Sequence, residues 1–118
     1  MKLDCVRIFH IRDEVLYLMD TLGAVTYAEF SENRTLQLST QKSLEIIGEA
    51  ANSISGELKL KYPDVPWDMM RGLRNRLTHR YFEVSWPIVW EIVQDNIPDL
   101  RVQIEYIIAS EKYPDTIV

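Results

Sequence analysis

Apolar residues recur at spacings of three and four along most of this chain, and nowhere do they alternate with polar ones. That period matches the turn of an α-helix, whereas a half-buried strand needs a period of two. The pattern restricts the chain to an all-α fold. Ile8, Ile11, Val15, Leu18, Met19 and Leu22 set it over residues 3–22, and Gly23 supplies a stop. Leu36, Ser43, Leu44, Ile47, Ala50, Ala51 and Ile54 set it over 32–54, with Ser31 or Asn33 as the cap. Pro63 and Pro66 then break the chain, and Pro66 opens a third helix that turns Trp67, Met70, Leu73, Leu77 and Tyr81 inward. Ser85 caps a last helix carrying Ile88, Val89, Ile92, Val93, Ile97, Leu100, Ile104, Ile107 and Ile108, with a kink expected at Pro98. Residues 23–30 read as a linker, 57–62 as a short helical turn and 111–118 as an irregular tail. The prediction is an antiparallel four-helix bundle with a short extra helical turn.

A length of 118 residues suits one domain, expected to span 1–118. Cys5 is the single cysteine, which excludes an internal disulfide and fits a reducing compartment. It reads as a buried or incidental thiol. No apolar run reaches the ~18 residues that a bilayer span requires, and charges interrupt the start of the chain. The expected location is therefore cytoplasmic, with no membrane partner.

Charge singles out one stretch. The chain carries a formal net charge of -5, yet four of its 13 basic residues, Arg71, Arg74, Arg76 and Arg80, fall within residues 71–80. His79, one of two histidines, lies among them with Asn75, Thr78 and Tyr81. A positive patch with an imidazole on an acidic protein suggests an anion site. Arginine can fork onto a phosphate and offset charge in a transition state, and histidine can move a proton near neutral pH. Together they suit RNA cleavage by the 2′-hydroxyl. The residues alone also fit a solvated charged helix with a satisfied histidine. On a helical wheel Arg71, Asn75 and His79 share a stripe, but Arg74 stands roughly 140° from His79. Either the helix distorts before Tyr81, or a second copy of the chain completes the site. Trp67, Trp86, Trp90, Met69 and Met70 form an aromatic and apolar surplus that could line such an interface. His10 reads as an exposed or partly packed side chain, and Glu49 as a solvated charge or a partner for an arginine, with the solvated charge favoured. Gly48, Ala50 and Ala51 form a small-residue patch that lets another helix approach.

The run Arg74-Asn75-Arg76-Leu77-Thr78-His79-Arg80-Tyr81 resembles the Arg-x4-His-x-Tyr motif of the HEPN superfamily, and most of all its HepT-like toxins from HepT/MntA toxin–antitoxin pairs. Ile46-Ile47-Gly48-Glu49-Ala50-Ala51, Val65-Pro66-Trp67, Tyr81-Phe82, Val89-Trp90-Glu91-Ile92-Val93 and Ile97-Pro98-Asp99-Leu100 extend the likeness over residues 36–100. Arg76 and Arg80 make the motif more basic than its pattern requires.

The resemblance implies a helical homodimer whose paired motifs line a cleft, acting as an endoribonuclease without metal or cofactor. Carried over, Arg74 and His79 are the catalytic pair and Asn75 helps to order the site. Arg71, Arg76 and Arg80 would attract RNA. Tyr81 would accept AMP from an MntA-like nucleotidyltransferase antitoxin. The alternative is a HEPN domain that serves that enzyme as partner and substrate without cutting RNA.

Overall fold

The computed structural model describes residues 2–114, with the side chains of Lys2 and Tyr81 outside the description. Among the described residues every regular element is helical. In chain order they are α1 (Lys2–Leu22), α2 (Tyr27–Ser31), α3 (Arg34–Asn52), α4 (Gly56–Lys61), α5 (Trp67–His79), a 3-10 turn (Tyr81–Glu83), α6 (Trp86–Glu91), a π-helical turn (Ile92–Asn96) and α7 (Ile97–Glu111). The expected all-α, HEPN-like bundle is the fold observed. α3 packs on both α1 and α5, and α7 also packs on α1.

The heptad-like pattern of α1 becomes one buried stripe: Ile8, Ile11, Val15, Leu18 and Leu22 are almost wholly covered. Asp4 is buried at the start of this helix and accepts hydrogen bonds from the Ser55 backbone N–H at 2.9 Å and hydroxyl at 2.6 Å. Ser55 in turn caps α4 by accepting from the Leu58 N–H. At the opposite end Glu111 accepts from Lys61 at 2.8 Å and from the Tyr62 hydroxyl at 2.5 Å. These two partners hold the Glu111 carboxyl below its ordinary range.

Several expectations change. The linker at 23–30 contains α2, opened by a reciprocal cap in which Thr26 and Glu29 satisfy each other's backbone N–H groups. Those bonds draw the Glu29 carboxyl below its usual value. The tryptophans expected as an interface surplus make contacts within the fold. Trp67 is buried with its indole N–H on the Tyr62 carbonyl, and Trp86 and Trp90 pack on the fully buried Phe30. Met69 stays exposed. Where a kink was expected at Pro98, a π-helical turn stands just before the proline. Pro98 follows in the first turn of α7, and the wider π-helical turn ahead of it accommodates the proline's missing N–H within a helix that runs on from α6. Ile88, expected to face inward, is exposed. α7 ends at Glu111, and the last four residues of the expected tail lie outside the described residues. No helix among the described residues is long and apolar enough to cross a membrane.

Candidate functional site

α5 carries the basic stretch, and α3 runs antiparallel beside it in a register that the side chains record. Gln41 donates to the Leu77 carbonyl at 3.2 Å, Thr78 donates to Glu45 at 3.1 Å, and Glu49 meets Arg74 at 2.5 Å. Glu45 and Glu49 are one helical turn apart on α3, as Arg74 and Thr78 are on α5, so the two pairs stack along the crossing. Gly48 allows this approach. A β-carbon built there would lie 2.2 Å from the Arg74 Cβ and 2.6 Å from the Met70 carbonyl oxygen. The small-residue patch is thus the seat on which Arg74 rests.

Arg74 is held from two directions. Its Nη2 pairs with Glu49 Oε2, and its Nη1 donates to Asn75 Oδ1 at 2.7 Å. Of the two readings open for Glu49, a solvated charge and an arginine's partner, the less favoured one holds: it pairs with Arg74. The Arg74 side chain is 28% exposed and that of Glu49 is 51% exposed, so the ion pair is worth at most about 1 kcal/mol of stability. Its chief consequence is orientation of the guanidinium.

His79 is the last residue of α5, and its exposed imidazole bonds to no described residue. The helix stops at once beyond it. Arg80 leaves helical geometry at φ -129 and ψ 41, and the 3-10 turn Tyr81–Glu83 follows. Tyr81 therefore starts a new turn two residues after His79, and its side chain lies outside the described residues. Distortion at this point does not bring the two motif residues together. Arg74 lines a depression with Arg7, His10, Lys42, Glu45, Glu49 and Thr78. His79 lines a different groove with Gly72, Asn75, Arg76 and Arg80. Within one chain Arg74 and His79 face different hollows, as the wheel implied, and Asn75 is the side chain that touches both surroundings.

The remaining arginines divide. Arg76 and Arg80 flank His79 in its groove, with Arg80 also 3.9 Å from Glu83. Arg71 points to Asp68 one turn earlier, at 3.5 Å, and lines neither hollow. Sequence reasoning allowed Glu49 an arginine partner without naming Arg74, and it missed Arg7, His10 and Lys42 as neighbours of Arg74. The spacing of Arg7 and His10, three apart on one helix face, was the available signal. Among the described residues no three His, Cys, Asp or Glu side chains converge in a way that could hold a metal ion.

Residues 11–107 match the family model described as "Ribonuclease HepT-like". A protein of Caldanaerobacter subterraneus subsp. tengcongensis named "Putative RNase" is 35% identical over 103 residues, covering 87% of this chain and 92% of its own length. Another so named, from Methanocaldococcus jannaschii, is 37% identical over 83 residues, covering 70% and 76%. A protein of Thermococcus cleftensis named "Probable ribonuclease HepT" is 33% identical over 81 residues, covering 69% and 74%. No solved structure gives a significant match. The helical bundle, the ordered motif on α5 and a family match across most of the sequence agree, and the chain belongs to the HepT-like ribonuclease family.

Proposed function

We propose that this chain is a metal-independent endoribonuclease, the toxin of a toxin–antitoxin pair, whose cutting site joins Arg74 and His79 at a homodimer cleft. The observation that carries the reading is the two-sided layout of α5. Arg74 is braced by Glu49 and Asn75 on one side, while His79 ends the helix on another with its imidazole unengaged by any described residue. A two-fold pairing of α5 with its mate gives each arginine a histidine from the other copy.

The chemistry then needs only these side chains. His79 accepts the proton of the RNA 2′-hydroxyl as the 2′-oxygen bonds to phosphorus. The bond from phosphorus to the 5′-oxygen breaks, and that leaving oxygen takes a proton from water. The products are a 2′,3′-cyclic phosphate and a 5′-hydroxyl. Arg74 offsets the charge that builds on the non-bridging oxygens, Asn75 keeps its guanidinium oriented, and Arg76 and Arg80 draw the backbone toward His79. Arg71 adds to the attraction at longer range.

Tyr81 is the proposed off-switch. An MntA-like nucleotidyltransferase antitoxin would join the tyrosine oxygen to the α-phosphorus of ATP, releasing pyrophosphate and the phenolic proton. The added phosphate and adenine, two residues from His79, would repel and obstruct an RNA phosphate. Incubation of the purified chain with RNA and excess EDTA tests the reading. Cleavage should persist and should fall by about 10²–10⁴ in His79→Ala. Intact RNA with the unaltered chain would leave only the role of partner to the nucleotidyltransferase. For Tyr81, intact mass after incubation with that enzyme and ATP should rise by AMP, and should not rise in Tyr81→Phe.

A further inference from the structure

The depression that holds Arg74 contains groups to which the proposed reaction gives no task. Arg7 and His10 reach it from α1 and Lys42 from α3, around a volume of about 270 Å³. The two carboxylates present are already engaged, Glu49 by Arg74 and Glu45 by the Thr78 hydroxyl. The side chains of Arg7, His10 and Lys42 bond to no described residue. Three cationic side chains against two carboxylates leave the hollow net positive, and a proton on His10 would add to that. It is a positive hollow in a chain of net charge -5, built by three helices. Cation binding is disfavoured by the same charge, and no three His, Cys, Asp or Glu groups converge there among the described residues.

We propose that this hollow is a second phosphate subsite, in which Arg7, His10 and Lys42 hold a backbone phosphodiester of single-stranded RNA next to the one that faces Arg74. The assignment rests on the ribonuclease reading for the identity of its ligand. Arginine forks onto two phosphate oxygens, whereas the lysine ammonium acts as a mobile point charge, so the pair suits a flexible strand. The subsite would set where along the strand the scissile phosphate comes to rest. Arg74 is the hinge between the two, because it lines this hollow while its Asn75 partner lines the groove of His79.

Binding can be read without turnover. In a His79→Ala background, the affinity of a fluorescent single-stranded RNA oligonucleotide is followed by anisotropy over a range of salt. The added substitutions are Lys42→Ala alone and Arg7→Ala, His10→Ala and Lys42→Ala together, with circular dichroism to check the fold. The triple variant should bind about tenfold or more weakly, with a salt slope shallower by about 0.7 for each lost phosphate contact. Lys42→Ala, a single change at an exposed position, should show part of both effects. Unchanged affinity and slope would overturn the subsite. So would loss of inorganic phosphate or AMP binding with RNA affinity unaltered, which would make the hollow a small-anion site. The ribonuclease reading is judged separately, by cleavage with the unaltered chain. Weakened binding with no cleavage keeps the subsite and removes the nuclease, and cleavage with unaltered binding does the reverse.

Discussion

No β-carbon fits between Gly48 and Arg74: one built on the glycine would stand 2.2 Å from the arginine's own Cβ. Gly48→Ala therefore forces α3 and α5 apart at the point where Arg74 is seated. Helix propensity alone would favour alanine by about 1 kcal/mol. Overpacking against the Arg74 Cβ and the Met70 carbonyl should outweigh this, at about 1–3 kcal/mol. Gly72 is the control, since a β-carbon there meets nothing within 4 Å. Thermal unfolding should show Gly48→Ala melting several degrees below the parent and Gly72→Ala at or above it. The reverse order would mean that the close approach does not matter.

Glu49 has two opposed effects on the proposed reaction. Its carboxylate repels an incoming phosphate, and it also fixes the guanidinium that must meet that phosphate. Glu49→Ala should lower KM for RNA and lower kcat by about tenfold, because orientation is lost while repulsion is relieved. Glu49→Gln keeps an acceptor for the guanidinium and should retain most of kcat. Steady-state cleavage separates the two parameters. An unchanged kcat in Glu49→Ala would remove Glu49 from the positioning of Arg74.

What could be read from the sequence was what repeats along one helix. The period of three and four located the buried stripes of α1 and α3, and Asn33 was one of the two caps named for α3. The wheel separated Arg74 from His79, and the structure puts them in different hollows. What escaped depends on contacts between helices or on very short elements. Glu49 and Arg74 lie on separate helices, and no spacing within either one reveals their pairing. His10 and Lys42 join Arg74 only through the crossing of α1, α3 and α5. α2 is five residues long, too short for a period to show, although Thr26 and Glu29 carry its capping signature. The π-helical turn before Pro98 has no compositional mark beyond the proline itself.

Tyr113 ties stability to alkaline pH. Its hydroxyl is buried with no hydrogen-bond partner among the described residues. Burial first, then repulsion from the Glu111 and Asp4 carboxylates, pushes the phenol from 10.0 up to about 12. A raised value means that the unfolded chain ionises first. The stabilisation is complete below the unfolded value and is lost as pH rises through the folded one. Tyr113→Phe removes that dependence and gives up no hydrogen bond. Its melting temperature should fall less than the parent's between about pH 8 and pH 11. Parallel curves for the two proteins would contradict the assignment.

The central claim is that Arg74 of one copy works with His79 of another. The direct measurement is RNA cleavage by Arg74→Ala and His79→Ala, each alone and then mixed after the subunits have exchanged. Each variant alone should leave RNA intact. The mixture should recover up to about a quarter of the parent's activity, because random pairing gives half the dimers one intact composite site. A mixture as inactive as its two components, from a parent that does cut RNA, would show that both residues must come from the same chain.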